Sequence, residues 1–433
     1  MLKAMNTIAR ELNDTLQGTI VSGLLSDLGR RMYFPKGIVA QGAEAKKHAG
    51  RYNATVGMAF AGGSAMILPS IGSRLSGLSS NEAVAYAPTA GIPELRDLWK
   101  KEIGRKNPGV DISRISEPVV VSGLTNGIAQ VADLFVDETD AVVVPDMFWG
   151  NYRLIIEEKR QARLAEFPFF DNGGLNIEGF RKAMVENAVN KKIVMIINFP
   201  NNPTGYSPSK KEARALADMI AGCAEEGYKI LAITDDAYFG LFYEEDTYKE
   251  SVFSMLADLH DNVLAVKIDG STKEHFVWGF RLGFVTFGSK SLTADHYNAL
   301  NTKLAGAIRS SISSSSRPAQ SLLLNALGSP EFEKEKAVLD DILEKRYRTL
   351  RRIVEANAGS GPLKALPFNS GYFMSFECTS GSAEALRKEL LMKEGIGVIS
   401  IKDRYIRVAY SSVDETGLEE MLSTIFKTAA GMK

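Results

Sequence analysis

Cysteine and histidine are scarce in this chain. Two cysteines, Cys223 and Cys378, and four histidines serve 433 residues. Two cysteines build no disulfide framework and no thiolate metal spacing. His48, His260, His275 and His296 are scattered, without the paired spacing of a metal site, so no metal is expected. Charge of one sign is lacking too. Lys plus Arg number 51 against 52 Asp plus Glu, a formal charge of −1, which gives no field for nucleic acid or an anionic membrane. No run approaches the ~20 apolar residues of a membrane span. The N-terminus, MLKAMNTIARELNDTL, is charged throughout and lacks the apolar core of a signal peptide. The expectation is a cytoplasmic protein whose partners are small molecules.

What is present is a large supply of apolar residues, 45% of the chain, enough for two or three domains. Short runs rich in Val and Ile occur at 117–123, 141–146, 192–199, 229–237, 262–270 and 281–287. Apolar on both faces and separated by helical stretches, they predict buried strands of a mainly parallel sheet in an α/β domain. One of those helices opens with Ser209 three residues before Glu212, a capping box, and stops at Gly227. From 331 to 358 the apolar residues Val338, Ile342, Leu343, Tyr347, Leu350, Ile353 and Val354 form one stripe of a long amphipathic helix. Strand-like GYFMSFE (371–377) and YIRVAYS (405–411) follow. The expected division is an N-terminal segment, 1–60, packed on the small domain or a partner chain, a large domain over 61–320, and a smaller α+β domain over 321–433.

The unusual residues lie after the strands, where ligands bind in parallel sheets. VVVSGLTNG puts Ser122, Gly123, Leu124 and Thr125 at a helix start, a turn whose hydroxyls and backbone amides suit a phosphate. PDMFWGNY brings Trp149, whose indole can stack on a flat ring. NFPNNPTG, with Asn202, is a rigid asparagine–proline loop. ITDDAY ends a buried strand in Asp235 and Asp236, which face opposite ways on a strand, with Tyr238 three residues after Asp235. GSTKEHFVWGFRLGF then places Lys273 in a glycine- and hydroxyl-bearing turn and Arg281 eight residues on. A lysine, a strand-end aspartate, a phosphate turn and an arginine are what pyridoxal 5'-phosphate requires. Its aldehyde forms a Schiff base with a lysine, and a carboxylate keeps its ring nitrogen protonated. Arg281 is expected to pair with the phosphate.

At these points the chain resembles the fold-type-I, class I/II aminotransferases, and among them the aspartate aminotransferase group, over about 80–425. The resemblance implies a large domain with a mainly parallel seven-stranded sheet, a smaller α+β domain and a homodimer. In YAPTAGIPELR it implies that Tyr86 reaches the cofactor phosphate of the neighbouring subunit. It implies ring stacking by Trp149, and contact of Asn202 and Tyr238 with the phenolic oxygen. Asp235 would meet the ring nitrogen, Lys273 the cofactor carbon and Arg281 its phosphate. Arg407 of YIRVAYS would bind the substrate α-carboxylate, beside Asn202 and Trp149. The sequence departs from the pattern at Gly270, where a phosphate-binding serine is common and Ser271 stands in, and at Leu124, where a hydroxyl residue is usual.

The implied activity is transfer of an amino group from an L-amino acid to a 2-oxo acid. The same parts serve β-elimination or decarboxylation, and a ligand-sensing regulator is the alternative of another class. A nicotinamide dehydrogenase is disfavoured, because no Gly-x-Gly-x-x-Gly turn follows the first strand. The serine-rich stretch AIRSSISSSSRP reads either as a flexible linker or, by the resemblance, as the segment whose arginine pairs with a substrate side-chain carboxylate in the adjacent subunit. That residue is Arg309, with Ser313 beside it and Arg317 as rival, and it would select a dicarboxylic amino acid.

Overall fold

The computed structural model describes residues 5–17, 38–74 and 76–432. The N-terminal segment expected over 1–60 therefore lies partly outside the described residues. Within it, the helix Ile38–His48 packs on the C-terminal part of the chain. Gln41 Nε2 donates to the Ser400 carbonyl at 3.1 Å, and Ser400 N donates back to Gln41 at 2.8 Å.

The large sheet has seven strands. In chain order they are β1 (Val119–Val121), β2 (Ala141–Pro145), β3 (Arg163–Phe167), β4 (Lys192–Asn198), β5 (Lys229–Asp235), β6 (Val263–Asp269) and β7 (Gly283–Gly288). Their order across the sheet is β1-β7-β6-β5-β4-β2-β3. Only β7 runs against its neighbours. Six of the strands coincide with the predicted apolar runs. The edge strand β3, RLAEF, does not: Arg163 and Glu166 are exposed and break its apolar run. The other strands are buried along almost their whole length, because helices cover both sheet faces.

Four shorter strands, β8 (Leu363–Ala365), β9 (Phe373–Cys378), β10 (Ile399–Ile401) and β11 (Tyr405–Ala409), form a second, antiparallel sheet in the order β8-β9-β11-β10. The long helix Phe332–Ala356 lies beside it and buries Leu343, Tyr347, Leu350, Ile353 and Val354. Val338, read as part of that stripe, is instead 61% exposed. The buried face already runs from Phe332 at the start of the helix, and Val338 lies to one side of it. The serine-rich stretch is no extended linker. The helix Ala294–Ser311 runs into it, Ser313 adopts φ 63°, and Ser316 caps the next helix, Arg317–Leu327.

Candidate active site

Because β1, β2, β4, β5 and β6 are parallel, their carboxyl ends share one edge, and the turn before β7 joins them there. A cavity of about 280 Å³ opens at this edge. It is lined by Leu124 and Thr125 after β1, Trp149 after β2, Asn198 and Asn202 at the end of β4, Asp235, Ala237 and Tyr238 after β5, and Thr272, Lys273 and Arg281 between β6 and β7.

After β1 the backbone turns through Gly123 at φ 79°, where a side chain would be strained. A Cβ there would also lie 2.5 Å from the Arg281 guanidinium. The expectation of four free amides is corrected here. Ser122 N donates to Asn126 Oδ1 at 3.2 Å, and Gly123 N to the Val121 carbonyl at 2.8 Å. The amides of Leu124 and Thr125 remain at the N-terminus of the helix Leu124–Phe135, where no intrahelical acceptor exists.

The asparagine–proline loop is rigid through its own amides. Asn201 Nδ2 donates to the Met147 carbonyl at 3.1 Å, Thr204 Oγ1 donates to Asn201 Oδ1 at 2.8 Å, and Asn202 N donates to Asn198 Oδ1 at 2.8 Å. Gly205 closes it at φ 72°, with its Cα so close to β9 that a Cβ would fall 1.9 Å from the Phe373 carbonyl oxygen.

The strand-end acids separate as the pleat requires. Asp235 points into the cavity, where Tyr152 donates its hydroxyl at 2.5 Å and Ala237 N donates at 3.2 Å. Burial raises the Asp235 carboxyl to about 6, against the opposing effects of Tyr152 and Lys273. Asp236 points away, to a buried pair with Lys267. Lys273 sits in a short helical turn, Ser271–Glu274. Burial lowers its ammonium to about 8, Asp235 opposes the shift, and Arg281 adds to it. Its amine lies 4.8 Å from the Tyr238 ring centre, and Tyr372 donates to its carbonyl at 3.1 Å.

Arg407, buried on β11, reaches the cavity residue Asn202 from the small sheet. It donates to Asn202 Oδ1 at 3.0 Å and to the Thr55 carbonyl at 2.9 Å, over the Phe373 ring at 4.3 Å. Burial pulls its guanidinium down to about 10, still cationic at neutral pH. Ser271 is buried but does not line the cavity; Thr272 does. Two of the expected residues stand apart from this chain's own cavity: Tyr86 is 94% exposed, and Arg309 is exposed at the end of its helix. Tyr152 and Asn198 were not anticipated. Asn198 Nδ2 donates to the Asp235 backbone carbonyl at 2.7 Å while its Oδ1 holds Asn202.

Among the described residues, Ser271 Oγ and Arg407 Nε are buried without a hydrogen-bond partner, and Arg281 has no carboxylate partner. The buried Arg407 Nε is open to an acceptor on a ligand, and Arg281, an exposed residue of the cavity lining, can meet an anion there. Cationic and amide donors, a carboxylate and a lysine amine around one cavity fit a flat cofactor with a phosphate and a basic ring nitrogen.

Fold and site thus define a cofactor-dependent enzyme whose cavity lies at the carboxyl edge of a parallel sheet. The family model for aminotransferase class I and II matches residues 60–425, and the chain belongs to that family. It is 26% identical to the aspartate aminotransferase of Pyrococcus horikoshii, over 80% of this chain and 84% of that one. It is 23% identical to the aspartate/prephenate aminotransferase of Thermus thermophilus, over 76% and 80%. An aminotransferase structure from Anaerococcus prevotii superposes with a TM-score of 0.81 at 25% identity, covering 92% of this chain and 97% of that one. The protein is a pyridoxal-phosphate-dependent amino acid aminotransferase, exchanging an amino group between amino acids and 2-oxo acids. No helix among the described residues is long and apolar enough to cross a membrane.

Proposed function

We propose that this aminotransferase acts on dicarboxylic amino acids of the aspartate or glutamate kind, as a cytoplasmic homodimer. Its working parts would be an N-terminal segment over 1–60, a cofactor domain over 61–320 and a small domain over 321–433. Pyridoxal phosphate supplies a carbonyl for the amino group and a ring that takes up the electrons of a deprotonated α-carbon. Lys273 would hold the cofactor and would carry the substrate's α-proton; a lysine amine pulled down to about 8 is suited to that transfer. Asp235 would retain the proton on the ring nitrogen. Asn202 and Tyr238 donate to the phenolic oxygen, and Trp149 covers the ring face. Arg281, the amides of Leu124 and Thr125, and the hydroxyls of Thr125, Ser122 and Ser271 receive the phosphate, joined by Tyr86 of the second subunit.

One observation carries the substrate class: besides Arg281, assigned to the phosphate, Arg407 and Arg309 have no acid to pair with among the described residues. Arg407 is buried against a carbonyl and an amide only, and Arg309 makes no ion pair among the described residues. The rival, Arg317, starts a helix and acts on Glu82. In a dimer, Arg407 receives the α-carboxylate and Arg309 of the second subunit the distal one. A bidentate, charge-assisted pair contributes about 1.5–3 kcal/mol, or roughly 10- to 100-fold preference. Amino donors of acidic, neutral and aromatic type, assayed with wild type and Arg309→Ala, test this. Loss confined to acidic donors is expected. Equal loss on all donors, or a wild type preferring aromatic donors, overturns it. An active monomer in sedimentation would overturn the dimer.

A further inference from the structure

β5 ends in two carboxylates, and the reaction uses one. The other, Asp236, is buried on the opposite face with Lys267 of β6, whose side chain is 1% exposed. Ser251 Oγ donates to Asp236 at 2.6 Å. Lys267 Nζ also lies 3.3 Å from Asp269 and 4.7 Å from the Phe239 ring centre. Asp269 in turn accepts from Trp99 Nε1 at 3.0 Å. The cluster is closed to ligands.

A buried ion pair brings little net stability against apolar residues of the same volume, so stability alone is a weak reason for this one. Its position suggests another. Asp236 is next to Asp235 in the chain, and its negative charge pushes Asp235 towards the protonated form. Protonated, Asp235 would no longer hold the ring-nitrogen proton by charge.

We propose that Lys267 is a positioning residue that acts on Asp235 through Asp236: it pins and offsets the Asp236 charge on the far face, so that Asp235 stays ionised towards the cavity. This rests on the reading that Asp235 meets the cofactor's ring nitrogen. The titratable groups that bear on the two sites are Tyr152, Tyr238, Lys273 and Asp236 around Asp235, and Asp236, Asp269 and, beyond Asp269, Lys106 around Lys267.

The test compares wild-type holoenzyme with Asp236→Asn, Lys267→Met, the double variant and Asp235→Asn. Two quantities are read: the acid limb of kcat/KM, and the acid midpoint of the bound cofactor's absorbance, which needs no turnover. Asp236→Asn should move both to lower pH by about half a unit, since a like charge is removed. Lys267→Met should move them upward, and the double variant should return close to wild type. A structural role alone would not reverse sign. Single variants that shift in the same direction, or an Asp236→Asn that shifts nothing, overturn the proposal. If Lys267→Met does not fold, the sign for Asp236→Asn decides: downward supports, unmoved or upward overturns. Asp235→Asn separates the two levels. If it keeps wild-type rate and spectrum, the ring-nitrogen reading itself is wrong. If it loses both while Asp236→Asn shifts nothing, only the role of Lys267 falls.

Discussion

Asp235 and Asp236 are one residue apart, equally buried and chemically identical, yet they stand in opposite electrostatic worlds. The cavity face offers Asp235 a tyrosine hydroxyl, a backbone amide and a lysine pulled down to about 8. The far face offers Asp236 a lysine and a serine in a closed cluster. The turn between β6 and β7 repeats the arrangement. Lys273 faces the cavity, while Glu274 faces away, paired with Lys106 at 3.0 Å and held down to about 2: burial opposes that shift, but the Lys106 charge overcomes it. On each segment the reacting group is left incompletely satisfied, and the residue after it is tied into the protein. A fold can keep a reactive group poised if the neighbouring peptide is anchored.

The largest effects should come from the cavity face. Lys273→Ala should abolish transamination while still allowing the cofactor to bind non-covalently. Mass mapping of the borohydride-reduced adduct should find it on Lys273, and finding it on another lysine would remove the assignment. Asp235→Asn should cost several orders of magnitude in kcat, because a neutral amide does not hold the ring proton; Asp236→Asn should cost far less. A reversal of the two would erase the contrast between the faces.

On the anchored face the expected losses are of stability. Lys106→Met removes the ion pair of buried Glu274, leaving only the Lys336 charge to offset it, and breaking a buried pair costs about 3–5 kcal/mol. Denaturant unfolding of that variant should show it, and a wild-type midpoint would mean that the anchor does not exist.

A smaller effect is a pH dependence. His275 is buried between Trp99 and Phe332, and burial lowers it to about 3 from an ordinary 6.5. Glu274 opposes that shift, and Lys106, Lys336 and Arg105 add to it. The unfolded chain therefore binds the proton first. The stability contributed is complete above about pH 6.5 and is lost as pH falls towards 3. Tm should fall on acidification through this range, and His275→Phe should flatten the slope. An unchanged slope would place the acid sensitivity elsewhere. The smallest effect is expected at the exposed Val338, where Val338→Lys should change stability by no more than about 0.5 kcal/mol.

Much of this was readable from residue order, for identifiable reasons. Six strands announce themselves because a strand covered on both faces must be apolar throughout. The edge strand β3 escapes because the exposed Arg163 and Glu166 interrupt its apolar run. Lys273, Asp235, Asn202 and Arg281 stand out because a charged or amide group at the end of an apolar strand needs a purpose. Tyr152 and Asn198 do not, since a tyrosine or asparagine near a strand end is ordinary until its partner is seen. Lys267 carried a signal that went unused: a lysine inside the apolar run VLAVKID demands a buried acid. Val338 misled because an apolar residue four before Ile342 reads as part of its stripe, although the buried face is centred on Phe332, Leu343 and Leu350 and leaves Val338 to one side.

Arg407 and the Thr55 carbonyl it grips are 352 positions apart in the chain, whereas the cofactor-side residues run from Leu124 to Arg281. Contacts of such separation close late, since the loop entropy must be met before they form. During refolding, the cradle for the cofactor can therefore be complete while the clamp for the amino acid is still open. A newly made chain would pass through a period in which it holds pyridoxal phosphate but cannot yet select a substrate, so cofactor absorbance should recover ahead of activity.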